Sequence, residues 1–242
     1  MRVGAIALAL VNGRFPQLLA VSLLGWAALA GFEQSLLLLP GLCSAAAGSW
    51  LDQGGRGIEA ALAVNPPAVL IVSWLTMLLA MMPPLLQQPV AHLWDRSFAR
   101  RRPRAIVMFV VGYGAIWTAA GIVLLIAAIV VGVIGKAVAL PAVIVAGAVA
   151  LAWQSTPLKQ ACLNRCHRLP RLSAFGIAAD RDCLRYGIGN AVWCVGACWA
   201  LMLIPLVAGG MHVATMAAVA VLTFAERRTP ARPPRWRLAV PV

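Results

Sequence analysis

Three sulfur side chains stand four residues apart in an apolar stretch late in the chain: Cys194, Cys198 and Met202. Residues at this spacing lie on one face of an α-helix, so the three sulfur atoms form a stripe along that face. Thiolate and thioether together are soft ligands that favour Cu(I), whereas tetrahedral zinc needs more thiolate or imidazole. The stripe therefore predicts a copper site, against the alternative that Cys and Met only fill a packed core.

A second pair of sulfur atoms has the same spacing in an earlier apolar stretch. Met77 and Met81 lie four residues apart, and Trp74 precedes them by about one helical turn. A rise of about 1.5 Å per residue puts this pair and the cysteine pair at similar depths in a ~30 Å apolar layer. If the two helices are neighbours, we expect Met77 and Met81 to face Cys194 and Cys198.

A third group with metal-ligating chemistry follows Pro157. It consists of Cys162, Cys166 and His167, two thiols and an imidazole that could hold a metal or form a transient redox centre. The alternative is a reduced loop whose basic residues contact lipid headgroups. Further candidates are Met211, His212 and Glu226. For Glu226 the alternative to a functional role is an ion pair at the membrane edge with its neighbours Arg227 and Arg228.

The composition indicates that these side chains are positioned by helices that lie in the lipid bilayer. Of the 242 residues, 62% are hydrophobic and 11% are charged, against about 25% charged residues in a typical soluble domain. The apolar stretches are continuous rather than alternating, which favours helices over a membrane barrel. We therefore expect an all-α polytopic membrane helix bundle. It forms a single transmembrane domain over residues 1–228, followed by a basic, Pro-rich cytoplasmic tail over residues 229–242.

About six apolar stretches approach the ~20 residues that a helix needs to span a bilayer. The predicted spans are 15–31 (with a possible extension to 39), 68–86, 105–134, 137–153, 186–207 and 211–225. We expect Pro141 to be tolerated in the first turn of the fourth span and Pro205 to kink the fifth.

The positions of the basic residues predict the orientation of these spans. If both termini are cytoplasmic, every Lys and Arg except Arg56 and Lys136 lies on the inner side, as the positive-inside rule requires. The net charge of +13 is spread next to apolar stretches rather than gathered in a separate domain. We therefore expect a multi-pass protein of the bacterial inner membrane that contacts anionic lipid headgroups and binds no nucleic acid.

Several separated motifs together resemble a known family. They are Trp74-x-x-Met77-x-x-Ala80-Met81-Met82-Pro83, Gly112-Tyr113 with Trp117, Gln154-x-x-Pro157-Leu158-Lys159-x-x-Cys162-Leu163-x-x-Cys166, Gly187, Gly189, Cys194-x-Gly196-x-Cys198-Trp199-Ala200-Leu201-Met202, Gly210-Met211 and Glu226. Over roughly residues 70 to 228 the chain resembles a bacterial family described as predicted metal-binding integral membrane proteins. The resemblance implies a metal-binding role in the membrane. The chain departs from the family pattern at Ala197, where a cysteine is usual, at His167 in place of Arg, and at His212 in place of Asn.

The first functional hypothesis is a non-enzymatic membrane protein that handles copper by ligand exchange, with metal carriers as partners. The second is a structural or assembly subunit of a larger membrane complex, because Gly112, Gly189 and Gly196 allow close helix packing. The third is a membrane thiol oxidoreductase that uses one of the two cysteine pairs. Its i, i+4 cysteines are marginal for a disulfide on a rigid helix.

Overall fold

The computed structural model describes residues 16–34 and 67–236, and every regular element in these two ranges is helical. The α-helices are α1 Pro16–Gln34, α2 Pro67–Met81, α3 Gln87–Arg96, α4 Arg102–Ala137, α5 Ala142–Gln154, α6 Pro157–Cys166, α7 Gly176–Val207 and α8 His212–Arg228. Short 3-10 turns occupy Pro83–Leu86, Ala99–Arg101 and Gly209–Met211. The predicted all-α class is confirmed for the described part of the chain. The predicted extension of the first span beyond residue 34, Arg56 and residues 237–242 lie outside it.

The two longest helices, α4 and α7, form the centre of the bundle. They make the most extensive contact of any described pair, and α5, α6 and α8 also pack against α7. The contact is close because glycines stand where the helices cross. A Cβ added at Gly187 would lie 2.1 Å from the Phe109 carbonyl oxygen, and one at Gly112 would lie 2.6 Å from the Leu184 carbonyl oxygen. Small residues at such positions let helix backbones approach directly.

Helix α2 is fixed to α4 through an indole ring. Trp74 Nε1 donates a hydrogen bond to the Trp117 carbonyl oxygen at 3.0 Å. Gly121 makes room for that ring, since a Cβ there would lie 2.6 Å from Trp74 Cε2. Trp74, a candidate site residue from the sequence, is thus a packing residue between α2 and α4 in the structure.

The outward face of α4 is strongly apolar. Ile122, Val123 and Ile126 are each more than half exposed, although burial of such side chains is favourable in water. Three helical segments are long and apolar enough to cross a membrane: Ala99–Ala137, Gly176–Val207 and Gly209–Arg228. The described residues therefore contain several helices compatible with a membrane protein.

Two further candidate spans are bent pairs of helices. The pair Ile71–Met81 and Pro83–Arg96 is bent by 56°, and the pair Ala142–Gln154 and Pro157–Cys166 by 73°. If each pair is one span, the described residues hold up to five spans, and Pro16–Gly31 is a shorter apolar helix. Each of the six predicted apolar stretches thus contains helix. Their number as membrane spans and the orientation of the termini stay predictions.

The bends follow from proline. Pro83 and Pro84 lack the backbone N–H that would continue α2, so that helix ends at Met81. Pro157 begins α6, where Thr156 caps the new helix by accepting a hydrogen bond from Lys159 N at 3.2 Å. The predicted second span, 68–86, included Pro83 and Pro84, and the sequence did not predict that helices would follow these prolines and Pro157 at a steep angle.

Two predicted helix starts are wrong. Ala137 is the last residue of α4, and Pro141 stands before α5 as its N-cap rather than within its first turn. Helix α7 begins at Gly176, ten residues before Tyr186. Charged residues on this added segment lie at its surface, so a search for apolar runs misses it. The depth of Cys194 and Cys198 in the apolar layer was counted from Tyr186 as the first residue of the helix, so that depth estimate does not hold.

The α4–α7 crossing generates the first testable expectation. Gly187→Ala places a methyl group against the Phe109 carbonyl, and overpacking of this kind costs about 1–3 kcal/mol of unfolding free energy. We expect a lower midpoint of thermal unfolding, followed by circular dichroism in detergent. The matched control is Gly114→Ala on α4, where an added Cβ meets nothing within 4 Å. There the better helix propensity of alanine should leave the midpoint unchanged or raise it. Equal shifts in both variants would argue against the close crossing.

Candidate metal centre

The predicted cysteine pair lies on the buried face of α7. The Cys194 and Cys198 side chains are 4% and 5% exposed, and their thiols lie within hydrogen-bonding reach of each other. Cys198 Sγ also donates to the Cys194 carbonyl oxygen at 3.1 Å. Met202, one turn further, is fully buried. The helical stripe therefore points into the bundle, where two thiols can act together.

A tyrosine connects this pair to a thioether from another helix. The Tyr113 hydroxyl on α4 lies 3.4 Å from Cys194 Sγ and 3.5 Å from Met82 Sδ. Met82 immediately follows α2, where the chain turns into Pro83. Its sulfur reaches the cluster because the helix ends there and the side chain can turn towards α4.

The predicted thioether pair on α2 is buried as well. Met77 is fully buried and Met81 is 3% exposed, but α2 packs chiefly against α1 and α4. Met82, which directly follows Met81, is the thioether that shares the Tyr113 hydroxyl with Cys194. Met82, just after α2, is therefore the residue that connects this segment to Cys194, by way of Tyr113. A direct approach of Met77 and Met81 to the cysteine pair stays a prediction.

One cysteine of α6 joins the same cluster. Cys166 is 2% exposed, and it is an electrostatic neighbour of both Cys194 and Cys198. Cys162 packs on another face of α7, since a Cβ at Gly196 would lie 2.8 Å from Cys162 Sγ, and it is an electrostatic neighbour of Cys166. Cys166, from the second group that the sequence predicted, therefore lies beside the cysteine pair of the first, and these three thiols with the Met82 thioether form the sulfur cluster.

The guanidinium of Arg227 on α8 supplies a positive charge to this cluster. It lies within hydrogen-bonding reach of the Cys166 thiol, and Cys194 and Tyr113 are its electrostatic neighbours. A hydrogen bond of 3.1 Å from its Nη2 to Asn190 Oδ1 fixes its direction. A buried charge is costly unless it has partners. The thiols and the Asn190 amide are the partners that Arg227 has here.

His167 is held by backbone carbonyls. Its Nδ1 lies 3.0 Å from the Leu163 carbonyl oxygen, and its Nε2 lies 2.9 Å from the Arg227 carbonyl oxygen. Since both ring nitrogens face carbonyl oxygens, neither is directed at the thiols. The side chain ties α6 to α8, and a metal could bind it only after one of these contacts is broken.

The predicted residues at the far end of α7 lie apart from the thiols. His212 is fully buried, and its Nδ1 lies 2.8 Å from the Pro205 carbonyl oxygen. Met211, in the preceding turn, is 65% exposed. The contacts of this pair are with the α7–α8 connection rather than with the cysteine cluster.

Glu226 belongs to a buried polar triad. Its Oε1 accepts hydrogen bonds from Lys159 Nζ at 2.5 Å and from Gln154 Nε2 at 2.8 Å. The Lys159 and Glu226 side chains are only 2% and 8% exposed. The alternative of an ion pair between Glu226 and Arg227 or Arg228 is therefore wrong. The carboxylate turns instead towards the α5–α6 bend and joins three helices at that point.

The donor set of the cluster is that of a soft metal. Within residues 16–34 and 67–236, no three side chains drawn from His, Cys, Asp and Glu converge to hold a metal ion. The methionine thioether is not one of these four side-chain types. A thiol pair with a methionine sulfur close by is the combination that Cu(I) prefers over harder divalent ions. Thiols must lose their protons to bind a metal, so a metal bound by this pair would displace protons.

A comparison with known families decides the affiliation of the chain. The family model PpoB2, described as copper chaperone, matches residues 71–241. The chain belongs to this copper chaperone family. Comparison with curated proteins and with solved structures finds no match. The copper chaperone match supports the metal-related part of the resemblance seen in the sequence, and it includes Met82, Tyr113, the clustered cysteines and Arg227.

Three cluster members were missed by reasoning from the sequence: Met82, Tyr113 and Arg227. Met82 and Tyr113 stand inside motifs of the family resemblance, but the i, i+4 spacing singled out their neighbours. Arg227 was attributed to the membrane edge because basic residues follow it. The position of Arg227, directly after an apolar stretch, could have indicated a role, since ionisable groups beside or within such stretches commonly have a functional partner.

The buried triad generates a second expectation. Glu226→Ala leaves the Lys159 ammonium buried without its carboxylate, and a broken buried pair of this kind costs about 3–5 kcal/mol of unfolding free energy. Replacing both partners with apolar residues, as in Lys159→Met with Glu226→Leu, should recover most of that loss. Thermal unfolding in detergent measures both effects. Arg104→Ala is the control: the Arg104 side chain is 64% exposed and Asp180 keeps its ion pair with Arg101, so the change should cost about 1 kcal/mol or less. A small effect of Glu226→Ala would contradict a buried triad.

Proposed function

We propose that this member of the copper chaperone family is an integral protein of the bacterial inner membrane. It binds Cu(I) as cargo at Cys194 and Cys198 and passes it on by ligand exchange. The observation that carries this proposal is the buried thiol pair facing a thioether across the Tyr113 hydroxyl. The strongly exposed apolar face of α4 supports the membrane location. The basic residues beside the apolar helices support contact with anionic headgroups.

Charge explains the place of Arg227. Cu(I) bound by two thiolates carries a net negative charge, and an uncompensated charge is unfavourable in a buried site. The guanidinium beside Cys166 and Cys194 offers the matching positive charge. A protein that only packed cysteines as small apolar residues would gain nothing from a buried Arg at this position.

Cys166 and Cys162 offer a path for the metal. Cys166 is buried beside Cys194, whereas Cys162 is partly exposed and contacts α7 at Gly196. In ligand exchange an incoming thiol loses its proton and binds copper, and a leaving thiolate takes up a proton, so no electron is transferred. We propose that copper moves in this way between the Cys194–Cys198 pair and the α6 cysteines. A carrier protein or small thiol outside is the partner.

The remaining predicted ligands have subsidiary roles in this proposal. Met77, Met81 and Met202 are buried thioethers that enlarge the soft environment near the thiols. His167 and His212 are not needed as ligands, because each has a ring nitrogen engaged by a carbonyl oxygen.

The thiol pair gives the decisive expectation. The variant Cys194→Ser/Cys198→Ser should lose Cu(I) binding in purified full-length protein, because serine oxygen is a hard ligand. Anaerobic titration against a chromogenic Cu(I) chelator measures the stoichiometry. Cys183→Ser is the matched control, since Cys183 is buried on the same helix beside Asp180 and Asp182. It should bind copper like the parent protein.

Unchanged copper stoichiometry in the double variant would end the proposal. Copper-free protein whose thiol count falls in the absence of reductant would favour the oxidoreductase alternative. Copper-free protein that co-purifies with fixed partners would favour a subunit of a membrane complex.

The compensating charge gives a fourth expectation. Arg227→Gln removes the positive charge from the cluster and should weaken Cu(I) binding about tenfold, which corresponds to ~1.4 kcal/mol. Arg227→Lys keeps the charge and should retain most of the affinity, although the planar hydrogen bonding of the guanidinium is lost. Competition with the same chelator measures both affinities. Equal losses in the two variants would show that packing, rather than charge, is what Arg227 provides.

A further inference from the structure

A basic cavity of about 260 Å³ opens between the segment that follows α6 and one face of α7. Its lining includes Arg165, Arg168, Arg171, Arg185, Tyr186 and Asn190. None of these residues belongs to the sulfur cluster. Asp182 is the single carboxylate among the lining residues against four guanidinium groups, so the cavity carries a net positive charge that attracts anions.

Two buried polar groups in the lining lack hydrogen-bond partners among the described residues. They are the Tyr186 hydroxyl and the Asn190 Nδ2, on side chains that are 7% and 4% exposed. The Asn190 amide cannot simply turn over, because its Oδ1 accepts a hydrogen bond from Arg227 at 3.1 Å. Its amide nitrogen is therefore left with protons to donate. Buried groups of this kind normally have a partner, which here is absent from the protein itself.

The acidic residue of the lining does not fill this need. Asp182 accepts hydrogen bonds from Ser173 N at 3.0 Å and Ser173 Oγ at 2.6 Å, so its Oδ2 is engaged by the loop before α7. Arg165 lies with its guanidinium carbon 4.2 Å from the centre of the Trp193 ring. The indole fixes that guanidinium beside the cavity while leaving its N–H groups free to bind an anion.

We propose that this cavity binds the phosphate group of an anionic ligand. A phosphate has several acceptor oxygens, which match the planar forks of arginine and the two neutral donors from Tyr186 and Asn190. The phosphate comes from a phospholipid headgroup or from a free phosphate compound. Ile188 and Val192 are exposed apolar residues on the same helix. They lie within α7, a helix long and apolar enough to cross a membrane, which favours a lipid headgroup as the source.

The proposal does not depend on copper binding. It places the phosphate site near the sulfur cluster, because Asn190 contacts both the cavity and Arg227. Asn190 apart, the two sites use different residues, so substitutions at the cavity arginines or at Tyr186 remove one site while the other is measured.

Calorimetric titration of the full-length protein in a neutral detergent tests the site. One arm adds inorganic phosphate, and the other adds mixed micelles of phosphatidylglycerol, with phosphatidylcholine as the zwitterionic reference. The variant Arg168→Gln/Arg171→Gln should bind at least about tenfold more weakly than the parent protein. The control Arg232→Gln/Arg235→Gln makes the same change in net charge on exposed residues outside the cavity. It should bind like the parent.

Tyr186→Phe provides a second, less disruptive variant. It removes one hydroxyl, and it should weaken binding about threefold without changing the midpoint of thermal unfolding. Saturable binding of inorganic phosphate identifies a free phosphate compound as the ligand class. Saturable binding of phosphatidylglycerol alone identifies a lipid headgroup. Absence of saturation in both arms, or equal weakening by the two double arginine variants, overturns the proposal.

Discussion

Direct contact between the backbones of α4 and α7 is the constraint on which the site depends. At Gly187 the carbonyl group of Phe109 occupies the space of a side chain, and Gly112 allows the same approach from α4. Only helices this close let the Tyr113 hydroxyl reach Cys194 and Met82 together. The remaining helices then surround this pair: α2 is anchored by Trp74, while α5, α6 and α8 pack on α7.

Buried charge organises the other side of the cluster. Lys159 and Gln154 satisfy the Glu226 carboxylate, so that acid does not neutralise the adjacent Arg227. The guanidinium is therefore left to the thiols and to Asn190. Because the triad spans α5, α6 and α8, it also holds the bend that carries Cys162 and Cys166. The buried triad and the charge beside the thiols thus depend on Glu226 and Arg227, neighbouring residues of one helix.

Apolar runs and prolines predicted much of the fold. The stretches around 105–134 and 211–225 correspond to α4 and α8 because continuous apolar sequence without proline has few alternatives to a helix. The prolines at 83 and 157 marked real interruptions. The start of α7 at Gly176 escaped prediction, since its first turns carry surface charges and no apolar signal. The angle after each proline also escaped, because packing against other helices determines it.

The sequence by itself determined that Cys194, Cys198 and Met202 share a helical face, because that relation follows from 3.6 residues per turn. It also determined a chain of apolar helices with basic connections. Tertiary structure alone decided that Cys166 and Arg227 approach this face, that the Met82 thioether and Cys194 share the Tyr113 hydroxyl, and that Glu226 turns to Lys159. The periodicity of a helix predicts which face of that helix a residue occupies. It contains no information on which other helix lies opposite, and that depends on how all the helix faces fit together.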